Sequence, residues 1–349
     1  MKLYNLGKVP WHESQLIYHA LARKGDEALS LVSPSSPYVC IGFHQDVDQE
    51  VDLGFCRAEG IPVFRRDLGG GAVYLDGNQL FFQLILKKDN PVVPKRKEAF
   101  YRKFLQPVIQ VYRKIGIQAE YKPINDVIAG NRKISGTGVG EIGECIVFVG
   151  NLIRDFNYDM MARILKVPDE KFRDKLFKTL EDNVSTIRRE IGPEAAEKWP
   201  EARLNRMMAD TFQGLLGPMD PAEKDESLQA VIRALGVRMM TDEWLYQRAK
   251  KVPGRRVKIR DGVHVFHRMH KAPGGLIRAD FQIEEGQFRN VRLSGDFFCY
   301  PEKAVSELES ALEGQKTEDL QALLKAFYEQ VEVETPGIEM NDWRHVLGQ

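Results

Sequence analysis

The stretch RRDLGGGAVY, residues 65–74, sets two arginines just ahead of three consecutive glycines and closes on a small apolar run. A glycine triplet is costly in chain entropy, so it marks a place where the main chain must bend sharply or come close to something. Arginine beside such a loop points to an anionic partner, because the guanidinium fork matches carboxylate and phosphate geometry. On either side, IPVFRR (61–66) and QLFFQLILKK (79–88) are apolar runs of the kind that form buried strands. The triplet therefore joins strand to strand. Both familiar phosphate loops run instead from a strand into a helix, and the GxxxxGK[ST] spacing is absent, so neither reading fits.

Nearer the N-terminus, SQLIYHALARK (14–24) has apolar residues at helical spacing and YVCIGF (38–43) reads as a strand. RKEAFYRKFLQPVIQVYRKIGI (96–117) predicts one helix with Phe100, Phe104, Val108, Val111 and Ile115 on a face, kinked at Pro107. CIVFVGNLIR (145–154) predicts a central strand, and residues 158–240 read as mostly helical and charged. A new unit begins near Thr241. There GVHVFHRMH (262–270) and GGLIRADFQIEEGQFRNVRLSG (274–295) alternate as strands joined by the turn EEGQ, followed by helices at 303–314 and 317–330. The expected fold class is α/β (α+β), with a larger domain over 1–245 and a smaller α+β domain over 246–349.

The 349 residues carry 50 Lys+Arg and 50 Asp+Glu, a balance that argues against a protein built to coat nucleic acid or an anionic membrane. Cys40, Cys56, Cys145 and Cys299 lie far apart with no CxxC pair, which fits neither a disulfide framework nor a zinc site. MKLYNLGKVPWHESQ has no apolar leader core, and no run of about 18 apolar residues occurs. A soluble, cytoplasmic monomer is expected.

The second informative stretch is NRKISGTG, residues 131–138, just beyond Asn125 and Asp126. A lysine at a strand end followed by Ser-Gly can present its ammonium to a phosphate or to developing negative charge. Asp126 could hold that ammonium or help ligate Mg²⁺. A solvated basic turn is the plainer alternative.

Together the two stretches resemble the lipoate–protein ligase family, a branch of the biotin/lipoate ligase superfamily, whose pattern runs RRxxGGGAVYHD and then ND-I followed by GRKxSG. This chain has RRDLGGGAVYLD and NDVIAGNRKISG in that order. The likeness extends back into YVCIGFHQDVDQEVD, forward to DNVSTIRREIG, and beyond 241 to a segment similar to the family's accessory domain. The resemblance implies a mixed-sheet catalytic domain over 1–245 with an accessory domain over 246–349, in an enzyme that joins lipoate and ATP, with Mg²⁺, into lipoyl-AMP. The acyl group then passes to a lysine of a lipoyl-domain protein: a dehydrogenase subunit, a glycine-cleavage H protein or a specialised lipoyl carrier. It further implies that Arg66, Gly69, Gly70, Gly71, Ala72, Val73, Tyr74, Asp76, Lys133, Ser135, Gly136 and Thr137 contact the nucleotide or adenylate. Gln45, Gly70 and Gly150 would line the acyl pocket, Lys133 and Asp126 would be catalytic, and no resident metal site is implied. Departures are Leu75 for the usual His, NQLFF (78–82) for GNLNF, and VFVGN (147–151) for HHGT.

Two other functions fit parts of the sequence. Gln79-Leu80 is similar to the GQL segment of acyltransferases that move octanoyl or lipoyl groups by thioester chemistry without ATP, with Cys145 as an available thiol. A non-catalytic module that kept the ligand pocket is the third. Plainer roles are expected for Tyr74 and Phe81 as pocket wall or core, and for Cys145 as a buried structural thiol. His264, His267 and His270 tempt a metal reading, but on a strand His267 faces away from the other two. KKDNPVVPKRK (87–97) is a basic loop that could meet an acidic acceptor.

Overall fold

The computed structural model describes residues 1–248, 258–260, 263–329 and 333–348, which fall into two compact units. Gly262 and Gln330, at the ends of two expected elements, lie outside the described residues. The first unit comprises Met1–Cys40, Val51–Phe64 and Val73–Trp244; the second comprises Ile41–Glu50, Arg65–Ala72 and Leu245–Gln349.

The first unit is built on a mixed six-stranded sheet, ordered Thr137–Ile142, Cys145–Ile153, Gln79–Lys87, Ala28–Pro34, Lys2–Val9, Asp220–Pro221. The strand Gln79–Lys87 is a near-continuous apolar run because both its faces are covered. Consecutive side chains point to opposite faces. Phe82 accordingly meets Phe212 of the helix Glu201–Leu216, while Gln83 Nε2 donates to the Ser14 carbonyl of the helix Glu13–Lys24. That helix stops where Gly25 turns left-handed at φ +71° and its N–H caps the last turn.

The single kinked helix expected over 96–117 is two helices, Lys97–Phe104 and Gln106–Lys114. Pro107 sits in the first turn of the second, where its missing N–H costs no helical bond. A smaller antiparallel sheet of Ala119–Lys122, Asp126–Ala129 and Arg132–Ser135 follows. Lys133 is the second residue of its last strand rather than the strand end. The basic loop after Lys87 is partly tied down, since Lys88 and Lys97 both pair with Glu141, at 3.0 and 2.9 Å.

In the second unit, Val263–Ala272, Gly275–Glu284 and Gln287–Gly295 form antiparallel neighbours, with Lys258–Arg260 at the edge. The expected turn is a two-residue hairpin in which Glu285 and Gly286 both take positive φ, +51° and +77°. Helices Ala304–Leu312 and Leu320–Glu329 match the sequence expectation, and a further helix, Met340–Leu347, does not appear in it. A capping box between Glu339 and Asp342 starts that helix. It delivers Trp343 into the core, fully buried, with its indole N–H donated to the Tyr328 hydroxyl at 2.8 Å. No described helix is long and apolar enough to cross a membrane.

His44, in the segment Ile41–Glu50, is completely buried and stacks on Phe297 with ring centroids 5.1 Å apart. Neither ring nitrogen has a hydrogen-bond partner. Burial first, and then the nearby charges of Arg248 and Arg65, hold its pKa well below the ordinary histidine value.

Two outcomes follow from this packing. A Cβ at Gly150 would lie 2.4 Å from the Phe82 ring and 2.8 Å from Thr137 Cγ2. Gly150→Ala should therefore lower stability by about 1–3 kcal/mol, measured by chemical denaturation, because Phe82 is itself fully buried. Histidine held neutral in the fold but protonated in the unfolded chain stabilises above about pH 6.5 and loses that contribution as pH falls. The loss is about 1.4 kcal/mol per pH unit until the folded group itself titrates. His44→Phe should unfold at nearly the same urea concentration at about pH 7.5 and about pH 5.5, after allowance for the rest of the chain's shared acid dependence. An unchanged acid dependence relative to wild type would remove His44 as its source.

Candidate functional site

The Lys133 stretch belongs to the first unit. Lys133 Nζ lies 2.6 Å from Asp126 Oδ1, joining neighbouring strands of the small sheet, with the two side chains 37% and 30% exposed. Both are held in place yet remain open to a ligand. The backbone behind the lysine is fixed from the other side: Ser185 N–H donates to the Lys133 carbonyl at 2.8 Å, and Val184 bridges to Lys133. Thus the segment DNVSTIRREIG packs directly on the lysine strand. Ser185 Oγ bonds Glu190, and Arg132 pairs with the same carboxylate at 3.5 Å.

Ser135, Gly136 and Thr137, which follow Lys133, are each engaged by their own neighbourhood. Ser135 Oγ donates to the Asn151 carbonyl at 2.5 Å, and Gly136 N–H donates to Asn151 Oδ1 at 2.9 Å. Thr137 Oγ1 donates to the Asn125 carbonyl and the Asn125 amide returns a bond to the Thr137 carbonyl, each at 2.5 Å. Gly150 sits opposite Thr137 on one strand and Phe82 on the other, and the Phe82 ring stands where a Cβ on that residue would go. Tyr74 is buried, its phenol pushed up to about 12 by burial, and its N–H meets Met161 Sδ at 3.3 Å. That matches its expected place as wall or core, and Phe81 is buried likewise. Burial also raises the Asp76 carboxyl, whose Oδ1 accepts from Asn78 N–H at 2.8 Å. Val73 is exposed.

Two residues outside the predicted ligase site complete this cluster. Asn151 Nδ2 donates to Gln79 Oε1 at 2.8 Å, and Gln79 Nε2 donates to the Tyr74 carbonyl at 3.0 Å. Their sequence signals were their places in NQLFF and VFVGN, where the chain departs from the family pattern, and for Gln79 also the likeness of Gln79-Leu80 to the GQL segment of the acyltransferases.

The glycine stretch Arg65–Ala72 belongs to the second unit. Its two arginines have different fates. Arg65 is fully buried and donates to the carbonyls of Gly42, Phe43, Gln45 and Leu245, at 2.6–3.1 Å, so it holds backbone rather than an outside anion. Arg66 wraps its own loop, donating to the Gly69 carbonyl at 2.7 Å and the Gly71 carbonyl at 3.0 Å. Gly70 has φ +90° and donates its N–H to the Phe297 carbonyl at 3.2 Å. A Cβ on Gly69 would come 2.7 Å from that carbonyl, and one on Gly42 only 1.9 Å from the Gly70 carbonyl. Backbone freedom here permits close backbone approach. Gln45 is buried with Oε1 accepting from Gly42 N–H at 2.9 Å.

The remaining candidates resolve as follows. All four cysteines are buried; Cys145 is raised by burial, Cys56 is pushed up to about 11 and Cys299 to about 12. His267 pairs with Asp280 directly across the hairpin and His270 with Asp342 at 2.7 Å, so carboxylates do stand near these histidines. They are simple pairs: no group of three or more His, Cys, Asp or Glu that could hold a metal occurs among the described residues.

The sequence matches the family model described as the lipoyl protein ligase A/B catalytic domain over residues 9–213, and the bacterial lipoate protein ligase C-terminus over 264–344. It is 28% identical over 288 residues to the lipoate-protein ligase LplJ of Bacillus subtilis, covering 81% of this chain and 80% of that protein. It is 24% identical over 244 residues to the octanoyltransferase LipM of Kyrpidia tusciae, covering 63% and 87%. Among solved structures, the bi-partite lipoate protein ligase studied with its E2 lipoyl domain from Thermoplasma acidophilum aligns at 25% identity and TM-score 0.60, covering 72% of this chain and 98% of that one. With its catalytic-domain match spanning more than half of its length, the chain belongs to the lipoate–protein ligase family of enzymes.

Proposed function

We propose that the protein is an ATP-dependent lipoate–protein ligase, which activates lipoate as lipoyl-AMP and transfers the lipoyl group to a lysine of a lipoyl-domain acceptor. The observation that carries the reading is the Lys133–Asp126 pair at 2.6 Å, part-exposed on a strand braced from both sides. Adenylation builds negative charge on phosphorus, and acyl transfer builds it on the carbonyl oxygen. A preoriented ammonium stabilises both without forming a covalent bond to the enzyme. Asp126 orients that ammonium. Arg66 and the Gly69–Ala72 backbone are assigned to the nucleotide.

A lone carboxylate already paired with lysine makes a poor resident Mg²⁺ site. The ion is therefore assigned to the nucleotide, whose phosphates supply most of its ligands. Residues 1–245 are proposed as the catalytic domain and 246–349 as the accessory domain. Support for a lipoyl-domain acceptor is that the related Thermoplasma acidophilum ligase was studied with its E2 lipoyl domain. A cytoplasmic location accords with this chemistry.

The LipM likeness keeps an octanoyl or lipoyl transferase working through a thioester as the second reading. Against it, Cys145 is buried at the head of the strand Cys145–Ile153 and its thiol is raised, the reverse of what an attacking thiolate needs.

Purified protein given ATP, Mg²⁺ and lipoate, without an acceptor, should yield lipoyl-AMP and pyrophosphate by mass spectrometry. Lys133→Ala should slow this by about 10²–10³. A folded wild type that makes no adenylate, yet moves octanoyl groups between carrier domains without ATP, would transfer the assignment to the second reading.

A further inference from the structure

A line of hydrogen bonds crosses the first unit from Gly136 to Tyr74. Gly136 N–H donates to Asn151 Oδ1, Asn151 Nδ2 donates to Gln79 Oε1, and Gln79 Nε2 donates to the Tyr74 carbonyl, at 2.9, 2.8 and 3.0 Å. Gln79 is 1% exposed and Asn151 9%, so water does not compete freely for these bonds. Both ends of the line are backbone: a donor at Gly136 and an acceptor at Tyr74. Neither amide can turn over without setting donor against donor or oxygen against oxygen, so the fold dictates the direction of both.

Asn151 grips the lysine strand at two further points. Its own N–H donates to the Gly136 carbonyl at 3.2 Å, and its carbonyl accepts from Ser135 Oγ at 2.5 Å. The residues it holds come just after Lys133 and Ile134: Ser135 ends the short strand and Gly136 follows it. At the other end, Tyr74 closes the stretch GGGAVY. One buried pair of amides therefore couples the ends of both motifs.

We propose that Gln79 and Asn151 are positioning residues for the adenylation reaction, fixing the Ser135–Gly136 end of the lysine strand so that the Lys133 ammonium is aimed before substrate arrives. This rests on the ligase reading above. Neither side chain needs to touch the reacting atoms. Their effect is on geometry, where small displacements of a charge-stabilising group cost rate far more than binding.

The direction of the line supplies the test. In Gln79→Glu the carboxylate still accepts from Asn151 but sets an oxygen against the Tyr74 carbonyl. In Asn151→Asp the carboxylate still accepts from Gly136 but has nothing to donate to Gln79. Gln79→Met, of similar volume and with no polar atoms, serves if either charged variant fails to fold. For each, kcat and KM for lipoyl-AMP formation are measured beside the Gly136 amide resonance in ¹⁵N-glycine-labelled full-length protein.

The proposal expects kcat to fall by about 10–100-fold with both KM values within about threefold. It also expects the Gly136 resonance to move in the Gln79 variants, although Gln79 makes no bond to Gly136. An unchanged kcat overturns it. So does a loss carried by KM, or a Gly136 resonance that stays put while kcat falls. Wild-type protein that forms no lipoyl-AMP would overturn the ligase reading instead, and the resonance would then judge the hydrogen-bond line alone.

Discussion

The register of the strand Cys145–Ile153 is the constraint on which the site-bearing unit depends. It pairs antiparallel on both sides, with Thr137–Ile142 and with Gln79–Lys87, and a slip of one residue would turn every side chain to the opposite face. Gly150 fixes the register sterically, because it faces Phe82 and Thr137 with no room for a side chain. In that register the next residue, Asn151, reaches Gln79 on one neighbouring element and Ser135 and Gly136 on another. The small sheet that carries Lys133 and Asp126 is thus tied to the large one at Asn151, and again where Asn125 exchanges bonds with Thr137.

Adjacent arginines illustrate how the fold assigns identical chemistry to different tasks. A guanidinium cannot shed its charge, so burying Arg65 completely is tolerable only if its donors find acceptors. Four carbonyls supply them, three from the turn Gly42–Gln45 and one from Leu245. Arg66 instead curls over its own glycines. The triplet's freedom is spent largely on letting main chain lie against main chain, at Gly42 and at Phe297. Positive charge beside flexible backbone is therefore in part an internal device, with Arg65 as the fastener.

What the sequence made legible was what depends on local pattern. Apolar runs marked the strands at 79–87 and 145–153, period-2 alternation and EEGQ marked the hairpin, and the spacing of Asp126 and Lys133 anticipated their pairing. What stayed hidden depends on contacts between distant residues. Trp343 needs the sheet and Tyr328 to define its pocket, and Arg65 needs a turn more than twenty residues away. The Gln79–Asn151 bond spans seventy-two positions in sequence, so no local motif could announce it. The break near Leu105 is intermediate: Pro107 was visible, but whether it kinks one helix or begins a second is decided by packing.

The departures from the family pattern bear on which chemistry this site suits. Thioester transfer requires a thiol that ionises near neutral pH and stands where a carrier can reach it. Every cysteine in this chain is buried, and the three with resolved shifts move upward, away from ionisation. An adenylate route asks for something else: a fixed positive charge, part-exposed, whose position is settled before the substrate arrives. Lys133 meets that description through Asp126 at its tip and Ser185 at its backbone. Replacing the usual sequence with VFVGN need not loosen this arrangement, because Asn151 brings a side chain that can accept from Gly136 and donate to Gln79 at once. A residue unlike the family's can still satisfy the same strand, provided its donors and acceptors face the right way.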